Sequence, residues 1–502
     1  MPRLYSLLIV MAVWALIYLP GLGTLEIKGE EGRRILPAVT MLQTGNYLVP
    51  QVGSDPYFTK PPLINWLVAA AFKLTGRHNE WSARLPSVLC VLAVALAFVA
   101  IGRRTLGASG SLIAAVVWMT NFGIVEKGRL IELEALYVSL TGLAFICWLS
   151  WWQERRSPWL TWTVPWIFLG LGMLAKGPLH LVFFYAVVIG VLVCVRREGA
   201  PAPAASLPRS RWSRPALGAM FHPAHLAGIL IMLGLFAAWA IPCLQMMQGS
   251  DVAHTWTRQF SGRLSGEDFK LSGWIMNIPR GLGYFLPWTL LFLWPRLRRP
   301  IGFRNVGPRT RDISISPESS TFDVRSSAFD VSVGLAWGIG LSFLAVSLLP
   351  GSLARYTMPL LAPAAWLATL LLPKDSRLPR LVAAIVGVAM LIYGLALTPR
   401  LAKREKVRNI AAQLNAALPP NEPLYVVDPD YQPALFYVRE PILYVDRVDQ
   451  VPRDAHYFLL QPDRAGSAEA SERWSPRRAR SVLRLKDYRK KEVILFEIAD
   501  GA

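Results

Sequence analysis

Glu30 and Glu31 form an adjacent acidic pair just after the first apolar run of the chain. A carboxylate beside an apolar surface is a candidate general base, or a ligand for a hard metal ion. A plainer role is also open, because two acids at the start of the helical stretch that continues through Leu42 complement the helix dipole. Lys60 precedes Pro61 and Pro62. The residue before proline avoids the α region, so this lysine is held on a stiff, extended segment, placed either to meet a phosphate or to snorkel. Further ionisable residues recur at the edges of apolar runs: Arg129 with Glu132 and Glu134, Lys176 before Gly177-Pro178, and Arg355 beside Tyr356. Charges at membrane height are costly and usually functional, although Lys176 and Arg355-Tyr356 also fit an interface anchor and an aromatic belt. A divalent cation between the Glu30-Glu31 and Glu134 segments is compatible with this set of oxygens, and the sequence leaves the metal undetermined.

The elements that must position these residues are membrane spans. Of the 502 residues, 53% are hydrophobic and 17% charged, against roughly a quarter charged in a soluble domain. A span needs about 20 predominantly apolar residues. Eleven segments qualify: residues 4–20, 85–102, 109–125, 134–152, 159–175, 178–195, 225–246, 281–295, 331–349, 356–373 and 380–398. The first lacks a small-residue cleavage site and is expected to be retained as a helix. With the N-terminus inside, the short inner loops carry Arg103-Arg104, Arg155-Arg156, Arg196-Arg197, Arg298-Arg299 and Arg377, as the positive-inside rule requires. The net charge of +20 is therefore chiefly a topological signature, and nucleic acid is excluded as a partner. The chemistry-bearing residues then collect at one outer rim. A transporter would instead place polar groups and helix breaks near the midplane, so the pattern suits an enzyme acting at the interface on a lipid-linked substrate.

Residues 196–224 and 296–330 read as linkers, and residues 1–398 form a transmembrane unit whose first outer loop, 21–84, carries the acidic pair. Residues 399–502 form a small extracytoplasmic α/β domain with a helix over Arg404 to Leu418 and strands over Leu424 to Val427, Ile442 to Val445, His456 to Leu460 and Val493 to Ile498. Most tryptophans, Trp118, Trp159 and Trp288 among them, fall near span ends and read as interface belts. Cys90, Cys147, Cys194 and Cys243 lie within apolar runs and read as core residues. Asp428-Pro429-Asp430 is ordinary turn chemistry, and His222 with His225 lacks the further ligands of a zinc site.

The ordered set of motifs resembles bacterial aminoarabinose lipid A transferases, within the superfamily of protein O-mannosyltransferases and polyprenyl-phosphate-sugar glycosyltransferases with the GT-C fold. The motifs are Glu30 to Pro50, Tyr57-Phe58-Thr59-Lys60-Pro61-Pro62-Leu63, Asn79 to Ser87, Gly128-Arg129-Leu130, Leu174 to Pro178, Gly283 to Trp288 and Ser347 to Pro359. The resemblance implies an all-α polytopic fold, GT-C-like, with the C-terminal domain in the periplasm of a bacterial inner membrane. It also implies transfer of a sugar from a polyprenyl phosphate to lipid A, lipopolysaccharide core, another glycan or a protein. Glu30 and Glu31 fall on the family's Asp-Glu pair and Glu134 on a later Asp, which makes these three the catalytic candidates; two of them are one methylene longer than the family residue. Lys60, Arg129, Lys176 and Arg355 are the expected phosphate-binding cations, with Tyr57 and Tyr356 as further substrate contacts. Glu132 is an alternative to Glu134, and two residues apart on one helix they are expected to face different ways. A flippase of lipid-linked glycan and an inactive scaffold of the same fold are the competing readings.

Overall fold

A computed structural model describes residues 2–53, 55–57, 59–195, 216–247, 269, 271–293, 324–373, 376–428, 432–439, 441–469, 472–486 and 492–500. The chain opens with α1 (Arg3–Tyr18), followed by α2 (Gly32–Thr44) and α3 (Leu63–Thr75) in the first loop. Then come α4 (Glu80–Ala100), α5 (Arg103–Thr120), the short α6 (Phe122–Lys127), α7 (Leu133–Gln153), α8 (Pro158–Lys176), α9 (Leu179–Cys194) and α10 (Pro223–Met246). Later helices cover Asn277–Tyr284, Val324–Ser347, Leu361–Leu371 and Leu378–Ile392. Their ends carry the expected signals. Asn79 accepts a hydrogen bond from the Ser82 amide at 2.9 Å to cap α4, and Pro158 and Pro223 open α8 and α10, where a missing N–H costs nothing.

Among the described residues, six helices are long and apolar enough to cross a membrane: α4, α7, α8, α10, Asp330–Ser347 and Leu378–Ala402. The expected eleven spans are therefore not all reached as single long helices. α1 and α9 have 16 residues each. The stretch expected as one span at 281–295 is broken at Phe285 to Trp288 between the helix ending at Tyr284 and a short one at Thr289–Leu293. Gly281, Gly283 and Pro287 lower its helical propensity. Asn121, extended, separates α5 from α6, and the segment expected at 356–373 begins as a 3-10 turn over Ala354–Leu360 that contains Pro359. The linkers 196–224 and 296–330 lie largely outside the described residues, as do Pro429 and Asp430.

α7 is buried almost all round, while Leu378–Ala402 leaves most of its surface outward. A helix apolar on every side belongs at the centre, and the first turn of α7, with Leu133, Glu134 and Ala135, is buried with the rest. Neighbouring helices approach through glycine. A Cβ on Gly338 would lie 2.6 Å from Val187 Cα, and one on Gly228 would lie 2.0 Å from the Trp162 carbonyl oxygen of α8. Such small-residue contacts let backbones pack where lipid supplies no hydrophobic drive. Two of the tryptophans expected at the interface are instead core: Trp118 donates to the Val91 carbonyl and Trp288 to Thr120 Oγ1, whereas Trp159 is exposed. His225 bonds Tyr185 and the Met220 carbonyl, and His222 caps α10, so both have structural partners.

The C-terminal region is a five-stranded mixed sheet. Its order is Ile442–Val445, Leu424–Val427, Tyr457–Leu460, Glu492–Asp500, Arg477–Lys486, with the first two pairings parallel and the last two antiparallel. The helix preceding it covers Val407–Ala417. Arg477–Lys486 was not among the expected strands, because its basic residues mask the alternation; charge on an edge strand also deters pairing with other chains. One face of the sheet shares a buried cluster with the first loop, in which Ile27, Ile35 and Ile64 meet Ile410, Leu414 and Val426. The other face has its own core around Phe458, Trp474 and Phe496.

Replacing Gly338 by leucine overfills the contact with α9, at a cost of about 1–3 kcal/mol, and is expected to lower the melting temperature of the detergent-purified protein. Gly340→Leu meets no atom within 4 Å and is expected to leave it unchanged. Equal melting of the two variants would refute the close approach.

Candidate functional site

A 3-10 turn over Gly29–Glu31 leads into α2, and Gly29 takes the positive φ of 57° that starts it. The two adjacent acids leave this turn in opposite directions. Glu30 is 44% exposed and pairs along the helix with Arg33 at 3.4 Å and Arg34 at 3.3 Å. Glu31 turns inward, where its two oxygens accept from Arg84 Nε and Nη2, both at 2.8 Å. This bidentate geometry is the strong form of the interaction. Arg84 also donates to the carbonyls of Leu22, Leu25 and Glu26, and Glu31 accepts the Ile131 amide at 3.1 Å. The pair thereby ties the start of the first loop to the segment just ahead of α7.

That segment delivers two more carboxylates. Glu134 lies in the first turn of α7 and accepts from Lys176 Nζ at 2.9 Å, with Arg355 Nε at 3.3 Å. Lys176 is the last residue of α8, halted by Gly177 with φ 100°, and its ammonium sits over the rings of Tyr137 and Tyr356 at 5.5 and 5.0 Å, in range for cation–π attraction. Glu132 does not diverge from Glu134 as helical spacing implied. The helix starts only at Leu133, and Glu132 sits on extended backbone with φ −112° and ψ 150°. It pairs with Lys127 at 3.1 Å. Burial pushes the Glu132 carboxyl above the ordinary carboxylate range, against the downward pull of Lys127.

Glu30, Arg34, Lys60, Glu132, Glu134, Lys176, Arg355 and Tyr356 line one polar cavity of about 70 Å³. It brings four cations against three carboxylates. Six of the nine residues expected from sequence line it or belong to its pairs: Glu30, Lys60, Glu134, Lys176, Arg355 and Tyr356. Three do not line it. Glu31 is engaged by Arg84. Arg129 donates to the carbonyls of Ile17, at 2.7 Å, and Pro20, and so closes the C-terminus of α1. Tyr57 accepts from Arg34 Nη1 at 2.9 Å and lies under its guanidinium. Arg34 was not singled out in the sequence, although its i,i+4 spacing from Glu30 was a readable signal.

Among the described residues no group of three or more His, Cys, Asp or Glu has the geometry to hold a metal ion. Each carboxylate of the cavity already faces a lysine or arginine, so the residues present do not fit a divalent cation between Glu30 and Glu134. A second, apolar cavity of about 530 Å³ is lined by Tyr47, Leu48, Trp66, Leu174, Leu235 and Trp239 together with four neighbours. Leu174 lies two residues before Lys176, so the two cavities share the end of α8. The tryptophan rings are fixed, Trp66 by the Tyr47 carbonyl at 2.7 Å and Trp239 by that of Leu48 at 2.9 Å.

Residues 59–201 match the family model described as dolichyl-phosphate-mannose-protein mannosyltransferase. An undecaprenyl phosphate-alpha-4-amino-4-deoxy-L-arabinose arabinosyl transferase of Pseudomonas savastanoi pv. phaseolicola is 29% identical over 175 residues, covering 34% of this chain and 32% of that protein. One of Pseudomonas aeruginosa is 26% identical over 381 residues, covering 73% and 59%. An uncharacterized protein of Aquifex aeolicus is 27% identical over 176 residues, covering 34% and 37%. The matched part thus spans about a third to three fifths of these relatives' own lengths. In fold, the chain is similar to the crystal structure of ArnT from Cupriavidus metallidurans bound to undecaprenyl phosphate, with TM-score 0.61 and 17% identity over 98% of this chain and 97% of that one. The chain has a GT-C fold and resembles the aminoarabinose transferase family.

The opposite surroundings of the two adjacent acids give a direct test. Glu31→Ala strands a buried guanidinium, which costs on the order of 3–5 kcal/mol, and is expected to lower the melting temperature clearly. Glu30→Ala removes only partly exposed pairs, worth at most about 1 kcal/mol, and should melt close to wild type. The reverse order would contradict the assignment.

Proposed function

We propose that this protein is a multi-pass inner-membrane glycosyltransferase that moves a sugar from a polyprenyl phosphate carrier to an envelope acceptor at the outer face. The acceptor class is lipid A, lipopolysaccharide core, another glycan or a protein. The observation that supports this reading is the polar cavity in which Lys60, Lys176, Arg355 and Arg34 converge with Glu30, Glu132 and Glu134 at the ends of apolar helices. An undecaprenyl phosphate carried by the ArnT structure of the same fold supplies the donor class. In this orientation the cavity and residues 399–502 lie on the periplasmic side.

The reaction asks for little covalent help. An acceptor hydroxyl oxygen forms a bond to the anomeric carbon while the bond from that carbon to the phosphate oxygen breaks, and polyprenyl phosphate leaves as an anion. The hydroxyl proton passes to Glu30, the most accessible of the three carboxylates and therefore the one an incoming acceptor meets. Lys60, Lys176 and Arg355 hold the phosphate as charge builds on it, and preorganised cations act most strongly in a site largely closed to water. Glu134 keeps Lys176 and Arg355 together before the donor arrives. Arg34, braced by Tyr57, orients Glu30. The apolar cavity next to Lys176 suits the isoprenoid chain.

Purified protein given a polyprenyl-phosphate sugar and membrane acceptors is expected to release free polyprenyl phosphate. Glu30→Gln should reduce this release by about 10²–10⁴-fold, the usual contribution of a general base, with expression intact; near-wild-type turnover would take Glu30 out of the mechanism. The pH dependence follows from Glu132. With its pKa raised by burial, it takes up a proton as the pH falls, before an ordinary carboxylate does. Wild-type activity is expected to decline over that window toward the level of Glu132→Gln, and the variant should lack this limb. An unchanged acid limb in the variant would assign the titration to another group.

A further inference from the structure

The segment that carries the acidic pair is also gripped from the far end of the chain. The helix Val407–Ala417 has no capping side chain of its own. Its N-terminus is capped instead by Glu26, whose carboxylate accepts the amides of Lys406 at 3.4 Å, Val407 at 2.8 Å and Arg408 at 3.2 Å. An acid there satisfies orphan donors and the helix dipole together. The contact is reciprocal, since the Glu26 amide donates to Glu405 at 2.8 Å. Arg408 then reaches the Thr24 carbonyl at 3.2 Å, Glu405 at 2.8 Å and Glu80. The Tyr437 hydroxyl accepts the Ile27 amide at 2.6 Å and donates to Glu80 at 2.8 Å. Glu26 and Glu80 are both buried.

Residues 24–31 are thus held between two guanidinium groups. Arg84, on α4, binds the carbonyls of Leu22, Leu25 and Glu26 and the Glu31 carboxylate from one side. Arg408, with Tyr437 and the capped helix, binds Thr24, Glu26 and Ile27 from the C-terminal side. Glu31 passes the restraint on to Ile131, next to Glu132. We propose that Arg408 and Tyr437 are positioning residues for the sugar-transfer site: through Glu26, Glu80 and Ile27 they fix the segment on which Glu30 stands and the strand-like entry to α7. The C-terminal region is thereby part of the catalytic frame. This inference rests on the glycosyltransferase reading for its catalytic consequence, but not for its structural one.

The test uses the full-length protein in detergent or nanodiscs. Tyr437→Phe keeps the ring and removes only the bridging hydroxyl; Arg408→Ala and Arg408→Lys form the second pair. Tyr437→Phe is expected to cut kcat about tenfold, because displacement of a reacting group by about 1 Å costs up to a hundredfold. The KM for the polyprenyl-phosphate sugar should stay within about twofold, since the phosphate-binding cations sit on other elements. Arg408→Lys should recover part of the activity lost in Arg408→Ala. Hydrogen exchange, read in parallel, is expected to show faster exchange of residues 24–34 and 129–132 in Tyr437→Phe with the six long helices unchanged. Wild-type kcat in Tyr437→Phe, or unchanged exchange of residues 24–34, would overturn the proposal, as would a rise in KM alone. A wild-type protein without transfer activity whose segment 24–34 still loosens in Tyr437→Phe would sink the glycosyltransferase reading and leave the structural coupling standing.

Discussion

The Glu31–Arg84 pair is the interaction on which the rest of the site depends. Both side chains are almost fully buried, at 6% and 4% exposed, and a charge pair removed from water survives only when every donor and acceptor is met. Arg84 meets that demand with three backbone carbonyls as well as the carboxylate, and Glu31 with a backbone amide as well as the guanidinium. The satisfied pair therefore fixes main chain from three places: the exit of α1, the turn before α2 and the approach to α7. Loops are ordinarily the mobile part of a membrane protein's surface; here a single ion pair converts the first loop into a part of the scaffold.

With that anchor in place, neighbouring residues of identical chemistry take different work. Glu30 and Glu31 differ by one position, yet one faces a water-accessible cavity and the other the interior. Lysine and arginine divide in the same way. Arg129 is spent on carbonyls at the end of α1, whereas Lys176 and Arg355 converge on Glu134. The central placement of α7 makes this possible, because Glu134 in its first turn meets Lys176 at the end of α8 and Arg355 in the Ala354–Leu360 turn. The apolar cavity lies beside the same end of α8, so a charged group and a long apolar chain on one molecule would find adjoining surroundings.

Much of this was legible in the chain itself. Glu30, Lys60, Lys176 and Arg355 stood out because each interrupts or borders an apolar run, where charge is expensive, and the structure brings them to one place. The strands Leu424–Val427 and Ile442–Val445 were readable to the residue as short β-branched runs. What escaped was tertiary in origin. Arg84 looks like one more basic residue near a span, and only the fold reveals four of its partners within the first loop. Glu132 was read on a helix that starts one residue later. Arg129 sits in the same kind of motif as the cavity cations, and nothing in its local sequence says that the open end of α1 claims it. The basic strand Arg477–Lys486 hides its register behind arginines, and the stretch through Pro287 is apolar enough to span and yet is broken by backbone chemistry that mean hydropathy does not register.

The polar cavity offers only about 70 Å³, room for a few water molecules, and the two cations at its heart already hold a negative charge in Glu134. In the proposed reaction an arriving phosphate would displace an internal anion from Lys176 and Arg355, so its affinity would be a difference between two anions competing for the same pair of cations. Such an exchange would weaken the grip on the spent carrier: the carboxylate that yielded its place stays tethered to the first turn of α7, ready to reclaim both cations.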